Sequence, residues 1–451
     1  MSENVKRVKN WRDYQRRHRR AAWREFLSKR LPWFGLWGVG CLLILGITLH
    51  TGSWISATLQ QPATQPQEAE REEEKGPTRL TRGDLPSFLK DTGFDLQPLS
   101  ASFPVTRNGA SLTIETSLLP DLQNYVGGLL VRSHTVRAAV VVLKPDTGEI
   151  LAIANFENGG TGANGNLCLK ADYPAASLFK IVAAAAVMEA RGFTPESTLT
   201  FRGRKHTLYQ SQLKQEQGRS AKNATKITLK KAFSGSINPV FGKIGIHELG
   251  REVTAEYAER FLFNHPIPFD LPLEVSRTEI PADDFGLAET ASGFNKRTMI
   301  SPLHAALLSA AVANRGTMME PWLIKGIRDG DGQTLYEAEP SKLAAPIMEQ
   351  TAEKMKALMD ETVVTGTCRN AFQPLQRKRV FRHIELGAKT GTINDASDQH
   401  RVDWVTAYAI PEGGGSGVCI ATLAIHGEKQ GIRAKDIARS IIDYYFSSWG
   451  L

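Results

Sequence analysis

Three pairs of a serine and a lysine spaced three residues apart occur in the chain: Ser87/Lys90, Ser177/Lys180 and Ser211/Lys214. Ordinary composition gives roughly two such pairs by chance in a chain of this length, so the spacing alone predicts little. Only the pair Ser177/Lys180 follows a turn-forming residue, Pro174, and precedes a long apolar segment, residues 181 to 188. That context makes this pair the candidate for chemistry.

A serine and a lysine at positions i and i+3 share one face of a helix. Ser177 in the first turn places its hydroxyl beside the free N–H groups of the helix N-terminus. Lys180 lies deeper, where loss of hydration disfavours its ammonium form and yields a neutral amine that can accept the serine proton. The alternative is a capping serine and a lysine whose stem packs along the helix, and this pair alone favours the alternative.

A second candidate is the loop that carries Ser236 and Asn238, within the segment Phe-Ser-Gly-Ser-Ile-Asn-Pro-Val-Phe. A hydroxyl and an amide two residues apart on a loop can point at one spot, where the hydroxyl relays a proton and the amide holds a lysine or a carbonyl. The alternative is an ordinary loop that caps a helix, and taken alone this segment also favours the alternative.

The third candidate is the tripeptide Lys389-Thr390-Gly391, followed by Thr392. Lys-Thr-Gly occurs once, against roughly 0.1 expected by chance. On a strand, the lysine and the glycine share one face, and the two threonines share the other. The lysine offers a positive charge to a carboxylate, and the backbone N–H of Thr392 could join that of Ser177 in an oxyanion hole. The alternative is a strand that ends in a Thr/Gly turn.

Together, in this order, the three motifs resemble those of the penicillin-recognising serine acyltransferases, which include penicillin-binding proteins and class A β-lactamases. Residues 112–123, 140–152, 300–304, 313–317 and 363–367 are also similar to segments of the penicillin-binding transpeptidase domain, so the resemblance covers about residues 110 to 447. The resemblance implies that Ser177 is the acylated nucleophile and Lys180 its general base. It implies that Ser236 and Asn238 assist, and that the donor carboxylate and the oxyanion are bound by Lys389, Thr390, Gly391 and Thr392.

The chain departs from the family pattern in two places. Position 176 is alanine where the family usually has glycine. Residues 392–408 look like the transpeptidase domain of bifunctional enzymes, yet residues 55–110 are too few for a glycosyltransferase domain, and the pedestal domain of monofunctional members is missing or reduced. These departures leave the transpeptidase subclass open.

The first 30 residues carry the whole net charge of +8. A basic tail on a neutral body does not favour a nucleic-acid partner. No charged residue occurs from Leu31 to Gln67, which is long enough for a membrane span. The charge rule then places the N-terminus in the cytoplasm and the bulk of the chain outside a bacterial plasma membrane, as a single-pass protein. A cleaved signal peptide is the less favoured alternative.

These signals predict a cytoplasmic tail at 1–30, a transmembrane anchor at 31–54, a stalk at 55–109 and a transpeptidase domain at 110–451. Residues 138–154 and 404–425 predict β-hairpins, the segment from 432 to 449 predicts an amphipathic helix, and residues 177–320 are mostly helical in pattern. The fold class is therefore α/β of the α+β type, with an antiparallel sheet flanked by helices and an all-helical subdomain.

Cys168, Cys368 and Cys419 have no metal-ligand spacing, and whether the first two pair is open. We find no metal or nucleotide motif, and so we expect no cofactor. The resemblance implies a D,D-transpeptidase of peptidoglycan whose partners are D-Ala-D-Ala stem peptides, β-lactams, the membrane and a glycan polymerase. Alternatives are a D,D-carboxypeptidase or β-lactamase, in which water is the acceptor, and a non-catalytic scaffold or β-lactam sensor.

Overall fold

Strand segments from the two ends of the domain pair in one sheet. A computed structural model describes residues 79–92, 100–159, 165–215, 223–413 and 417–448. Its largest sheet has five antiparallel strands in the order β13-β14-β15-β3-β4. They are β3 (Arg137–Leu143), β4 (Ile150–Glu157), β13 (Ile384–Asn394), β14 (Arg401–Pro411) and β15 (Val418–His426). Both predicted hairpins are thus confirmed.

Helices cover both faces of this sheet, because alternate strand residues are apolar on each side. Among the described residues the α-helices are α1 (Leu85–Asp91), α2 (Pro120–Val131), α3 (Lys180–Arg191), α4 (Gln210–Leu213), α5 (Leu229–Ser234), α6 (Asn238–Lys243), α7 (Gly250–Arg260), α8 (Asp284–Ala291), α9 (Pro302–Ala313), α10 (Glu349–Val364), α11 (Arg369–Gln376) and α12 (Ala434–Ser448). Val140 and Val142 of β3 belong to one hydrophobic cluster with residues of α2, α11 and α12, whereas Ala139 and Val141 belong to a second cluster with residues of α3, α9 and α10.

The C-terminal helix shows how the sequence pattern specifies this packing. Ile437, Ile441 and Tyr445 recur at every fourth position of α12, and all three are buried against the sheet. The predicted amphipathic helix at 432–449 is confirmed in α12. Fully burying an aliphatic side chain of this size contributes about 1.5–3 kcal/mol, so α12 is a principal support of the sheet.

A second sheet contains four strands in the order β1-β2-β10-β11. They are β1 (Ser102–Arg107), β2 (Ala110–Thr116), β10 (Ile324–Asp329) and β11 (Thr334–Glu337). Within the predicted stalk, 55–109, the structure therefore has helix α1 and strand β1, which pairs with β2 residue by residue. The boundary at residue 110 stays a prediction.

Between the two halves of the large sheet, the described chain is mostly helical, from α3 to α9, with a six-residue π-helix at Ile244–Leu249. Short two-stranded pairings lie within or beside this region. Strand β6 (Thr198–Phe201) pairs with β7 (Thr225–Thr228) inside it, β5 (Tyr173–Pro174) before it pairs with β8 (Met299–Ile300), and β9 (Met318–Met319) pairs with β12 (Lys342–Ala344) after it. The β5–β8 pairing ties the helical region to the segment that precedes α3.

The predicted tail, 1–30, and the predicted anchor, 31–54, lie outside the described residues. Among the helices of the described ranges, none has both the length and the apolar character required to cross a bilayer. The membrane anchor stays a prediction.

Candidate active site

Ser177 lies on a 3-10 turn, Ala176–Phe179, that runs directly into α3 at Lys180. Ser177 therefore precedes the α-helix on a 3-10 turn, whereas the sequence predicted it in the first turn of the helix. A 3-10 turn has three residues per turn, so positions i and i+3 are eclipsed and the two side chains meet more closely than on an α-helix. The turn thus brings the lysine to the serine.

The residue before the serine has a left-handed backbone. Ala176 has φ = 49°, a region that glycine enters without cost and that costs other residues roughly 1–2 kcal/mol. Trp404 of β14 fixes the approach to this turn, since its indole N–H donates to the Pro174 carbonyl at 2.9 Å. The glycine usual in the family at position 176 would adopt this conformation without strain.

The Lys180 amine lies among three oxygen atoms in the protein interior. Its Nζ is 2.8 Å from Ser177 Oγ, 2.8 Å from Asn238 Oδ1 and 2.6 Å from the Ser292 carbonyl oxygen. The side chain is fully buried. Burial, and then the nearby charge of Lys389, hold the pKa of Lys180 well below its ordinary value.

This coordination suits a neutral amine. Two of the three oxygens, on Asn238 and Ser292, are carbonyl oxygens that can only accept a hydrogen bond. A neutral amine donates its two N–H groups to them and directs its lone pair at the Ser177 hydroxyl, which donates. After proton transfer, the ammonium has three N–H groups for the same three oxygens. The site therefore satisfies the lysine both before and after it takes the proton.

Asn238 and Ser236 are placed by the connection between α5 and α6. Asn238 is the first residue of α6, and Pro239 follows it at a helical position that needs no N–H donor. Ser236 has φ = 52°, so it is, with Ala176, the second non-glycine residue of the site in the left-handed region. Strain of this kind persists only where the surroundings enforce it, and it concentrates at functional sites.

Lys389 approaches the same loop from strand β13. Its Nζ is 3.0 Å from Ser236 Oγ and 2.8 Å from the carbonyl oxygen of Thr390, and its side chain is fully buried. Burial lowers the pKa of Lys389 to about 7. The aromatic rings that flank the Ser236 loop border both lysines: Phe241 lies 5.6 Å from Lys180 Nζ, and Phe233 lies 5.4 Å from Lys389 Nζ.

Gly391 brings β13 against the serine turn. A β-carbon at this position would lie 3.2 Å from Ala176 Cβ and 3.3 Å from both the Ala175 carbonyl oxygen and the Ser177 nitrogen. Within the described sheet β13 is the edge strand, so alternate N–H groups on its outer side are free of strand partners. This close packing of backbones is what an oxyanion site made from Thr392 and Ser177 would require.

The hydroxyls of the two threonines have separate anchors. Thr390 Oγ1 is 2.6 Å from Thr367 Oγ1. Thr392 donates to Asp403 of β14 at 3.1 Å, and Asp403 also accepts two hydrogen bonds from Arg433 at 2.7 and 3.0 Å. Burial alone would raise the pKa of Asp403, but the His426 ring 3.7 Å away and the hydrogen-bonded Arg433 hold it well below its ordinary value.

The structure therefore brings together every residue of the three motifs: Ser177, Lys180, Ser236, Asn238, Lys389, Thr390, Gly391 and Thr392. The sequence analysis missed Ser292, Gly293 and the Asp403–Arg433 pair. A carbonyl group such as that of Ser292 leaves no signal in a side-chain pattern. Gly293 has φ = 64°, and a β-carbon there would lie 1.9 Å from the Ala176 carbonyl oxygen, so a glycine after a helix was the only sign of this contact.

The other two serine–lysine pairs lie elsewhere. Ser87 and Lys90 belong to α1, Ser211 belongs to α4, and neither pair is hydrogen-bonded within the described residues. Cys168, Cys368 and Cys419 are buried free thiols, which resolves the question of pairing. Across the described ranges, no group of three or more metal-ligating side chains is suitably arranged to hold a metal ion.

Comparisons with known proteins identify the family and several relatives of the chain. The family model for the penicillin binding protein transpeptidase domain matches residues 138–443. The peptidoglycan D,D-transpeptidase PbpA of Mycolicibacterium smegmatis is 25% identical over 340 residues, which are 68% of this chain and 67% of that protein.

Two solved structures share the fold. The D,D-transpeptidase domain of a peptidoglycan glycosyltransferase from Eggerthella lenta superposes with a TM-score of 0.61 at 22% identity, over 75% of this chain and 83% of that one. The imipenem acyl-enzyme complex of penicillin-binding protein A from M. tuberculosis gives 0.59 at 22% identity, over 74% and 79%. The matched family model covers more than half of the sequence, and the chain therefore belongs to the penicillin-binding protein transpeptidase domain family.

Proposed function

We propose that this protein is a peptidoglycan D,D-transpeptidase that works through a serine acyl-enzyme and is inhibited covalently by penicillin. The observation that carries the proposal is the buried Lys180 amine, 2.8 Å from both Ser177 Oγ and Asn238 Oδ1. Its lowered pKa favours the neutral amine, which can act as a base, and its position makes Ser177 the group that it activates.

In the first half-reaction, Ser177 Oγ attacks the carbonyl carbon of the penultimate D-alanine while its proton passes to Lys180. The new C–O bond replaces the C–N bond of the terminal peptide. D-alanine leaves with the proton from Lys180, which Ser236 can relay, and the lysine is then neutral again. Lys389 binds the terminal carboxylate. The backbone N–H groups of Ser177 and Thr392 stabilise the negative oxygen of the tetrahedral intermediate.

In the second half-reaction, an amine of a neighbouring stem peptide attacks the ester. Lys180 takes a proton from that amine, and the Ser177 oxygen leaves as a hydroxyl. The product is a peptide cross-link. A β-lactam enters the same first step, but its leaving group stays tethered to the acyl chain, so the enzyme stops as an acyl-enzyme.

The N-terminal sequence supports a proposal for where in the cell this reaction takes place. We propose that residues 31–54 anchor the protein in the bacterial plasma membrane, with residues 1–30 in the cytoplasm and the transpeptidase domain outside. The charge distribution of the N-terminal 67 residues supports this orientation. We propose that a glycan polymerase of the cell-wall machinery supplies the strands that are cross-linked.

The test uses the full chain with a synthetic peptide ending in D-Ala-D-Ala and an amine acceptor, with products identified by mass spectrometry. A cross-linked product that is absent with Ser177→Ala supports the transpeptidase. Hydrolysed donor alone at every acceptor concentration favours a carboxypeptidase, and rapid hydrolysis of penicillin favours a β-lactamase. A folded protein that consumes neither compound is a scaffold or a sensor.

A further inference from the structure

A loop of basic residues borders the active site on the side of Asn238. The cationic loop consists of Arg202, Arg204, Lys205 and His206, and all four residues are exposed. Within the described part of the chain, none of their side chains forms an ion pair. Residues 31–451 sum to zero net charge, so this concentration of positive charge is a local feature of the neutral body.

The cationic loop is joined to the catalytic groups by a short path. The Asn238 N–H donates to the Lys205 carbonyl oxygen at 2.8 Å, and the side chain of the same asparagine accepts from Lys180 at 2.8 Å. One residue therefore separates the loop backbone from the proposed general base. The ring of His206 also interacts with the backbone of Ser236.

A buried glutamine gives the loop a fixed shape. The Gln212 side-chain N–H groups donate to the carbonyl oxygens of Arg202 and Arg204 at 2.9 and 3.2 Å, and its oxygen accepts from the Tyr209 N–H at 3.0 Å. Gly203 has φ = 78°, and a β-carbon there would lie 2.8 Å from the glutamine nitrogen. The carbonyl groups thus face inward to Gln212, while the basic side chains are left in solvent.

The charges of the loop and the site have the same sign. The pKa of His206 is lowered by partial burial of the ring and by the charge of Lys180, with smaller contributions from Lys389 and Lys205. His206 is therefore mostly neutral at pH 7, and the lasting positive charge belongs to the two arginines and Lys205. Such a cluster attracts carboxylates and repels cations.

We propose that the cationic loop binds the carboxylates of the acceptor peptide, whose amine attacks the acyl-enzyme. This inference rests on the proposed transpeptidase function. The donor's terminal carboxylate already has a partner in Lys389 on β13, and it leaves with D-alanine before the acceptor reacts. The loop is hydrogen-bonded to Asn238, is exposed, and has no acidic partner among the described residues, so a second anionic peptide can reach it.

The test measures how the acyl-enzyme divides between amine and water. The full chain is given a diacetylated D-Ala-D-Ala donor and one of two acceptors: a stem tripeptide ending in a diamino acid with free carboxylates, or the same tripeptide with carboxamides. In Arg204→Gln/Lys205→Gln, the aminolysis-to-hydrolysis ratio with the carboxylate acceptor should fall about two- to tenfold, the range for two exposed charge contacts. The ratio with the carboxamide acceptor should stay the same.

Control measurements distinguish a specific effect of the cationic loop from a general loss of surface charge or of folding. Arg379→Gln/Arg382→Gln removes two exposed charges from the turn before β13 and should leave both ratios at wild-type values. The rate of penicillin labelling checks that the loop variant is folded, and Lys205→Glu alone should also lower the carboxylate ratio. Added salt should reduce the wild-type preference for the carboxylate acceptor, because the contacts are exposed.

Three results would overturn the inference. Equal ratios for the loop variant and the wild type with the carboxylate acceptor would mean that the loop does not bind it. Slower donor consumption with an unchanged ratio would assign the loop to the donor. A wild-type protein that consumes no donor would refute the proposed function and, with it, the acceptor site.

Discussion

The Lys180–Asn238 contact gives the sharpest prediction about the general base. Asn238→Ala removes one of the two carbonyl oxygens that accept from the buried Lys180 amine. A hydrogen bond to a neutral donor contributes about 1 kcal/mol, whereas one to a charged donor contributes about 1.5–3 kcal/mol. The variant loses the weaker hydrogen bond of the neutral amine in the ground state and the stronger hydrogen bond of the ammonium in the transition state. The barrier to acylation should therefore rise by the difference, about 0.5–2 kcal/mol. The rate constant should fall about two- to thirtyfold.

The pH dependence distinguishes this mechanism from a general loss of structure. Without the amide oxygen the ammonium is less stabilised, so the pKa of Lys180 falls further and the acid limb of the acylation profile moves to lower pH. Asn238→Asp places a carboxylate beside the amine, which raises that pKa and moves the limb to higher pH. Second-order rate constants for a fluorescent penicillin, measured from about pH 5 to about pH 9, give the acid limb of each variant. If the acid limbs of the two variants move in the same direction, or do not move, Lys180 is not the base held by Asn238.

Three further predictions concern the strand side of the site. Because the pKa of Lys389 is about 7, kcat/KM for a D-Ala-D-Ala peptide should decline above that pH, and Lys389→Arg should abolish this decline even if the rate is lower. Gly391→Ala inserts a methyl group 3.2–3.3 Å from the serine turn, and the rate of penicillin labelling should drop about tenfold with little change in the unfolding temperature. Asp403→Asn weakens the ion pair with Arg433, which is partly exposed, and should lower the free energy of unfolding in urea by about 1–2 kcal/mol. That contribution of Asp403 is present above about pH 4 and is lost as pH falls toward its lower folded pKa.

The regular elements were predictable because their periodicity is strong. The hairpins β3–β4 and β14–β15 read as short apolar strands around turn residues, and α12 shows apolar residues at every fourth position. The four-stranded sheet was not predicted. Strand β1 alternates between exposed and half-buried residues. Strand β10, which pairs with β2, follows it more than 200 residues later, so no local signal joins them.

The site was predictable as far as its chemistry resides in side chains. The three short motifs identified the catalytic side chains, but not the backbone atoms that position them. The third partner of Lys180 is the backbone carbonyl of Ser292. The left-handed backbone of Ala176 and Ser236 is imposed by packing, and the residue types at these positions do not predict it. Arg433 follows Asp403 by 30 residues in sequence, and only the pairing of β14 with β15 and the start of α12 bring them together.

The most direct test of the central claim is to map the penicillin adduct on the full chain. Wild-type protein and Ser177→Ala are incubated with benzylpenicillin, and digested peptides are analysed by mass spectrometry. The mechanism predicts one adduct per chain on Ser177 and none on the variant, with both proteins showing the same thermal unfolding. An adduct on another residue, or no adduct on a folded wild-type protein, would contradict the assignment of Ser177 as the nucleophile activated by Lys180.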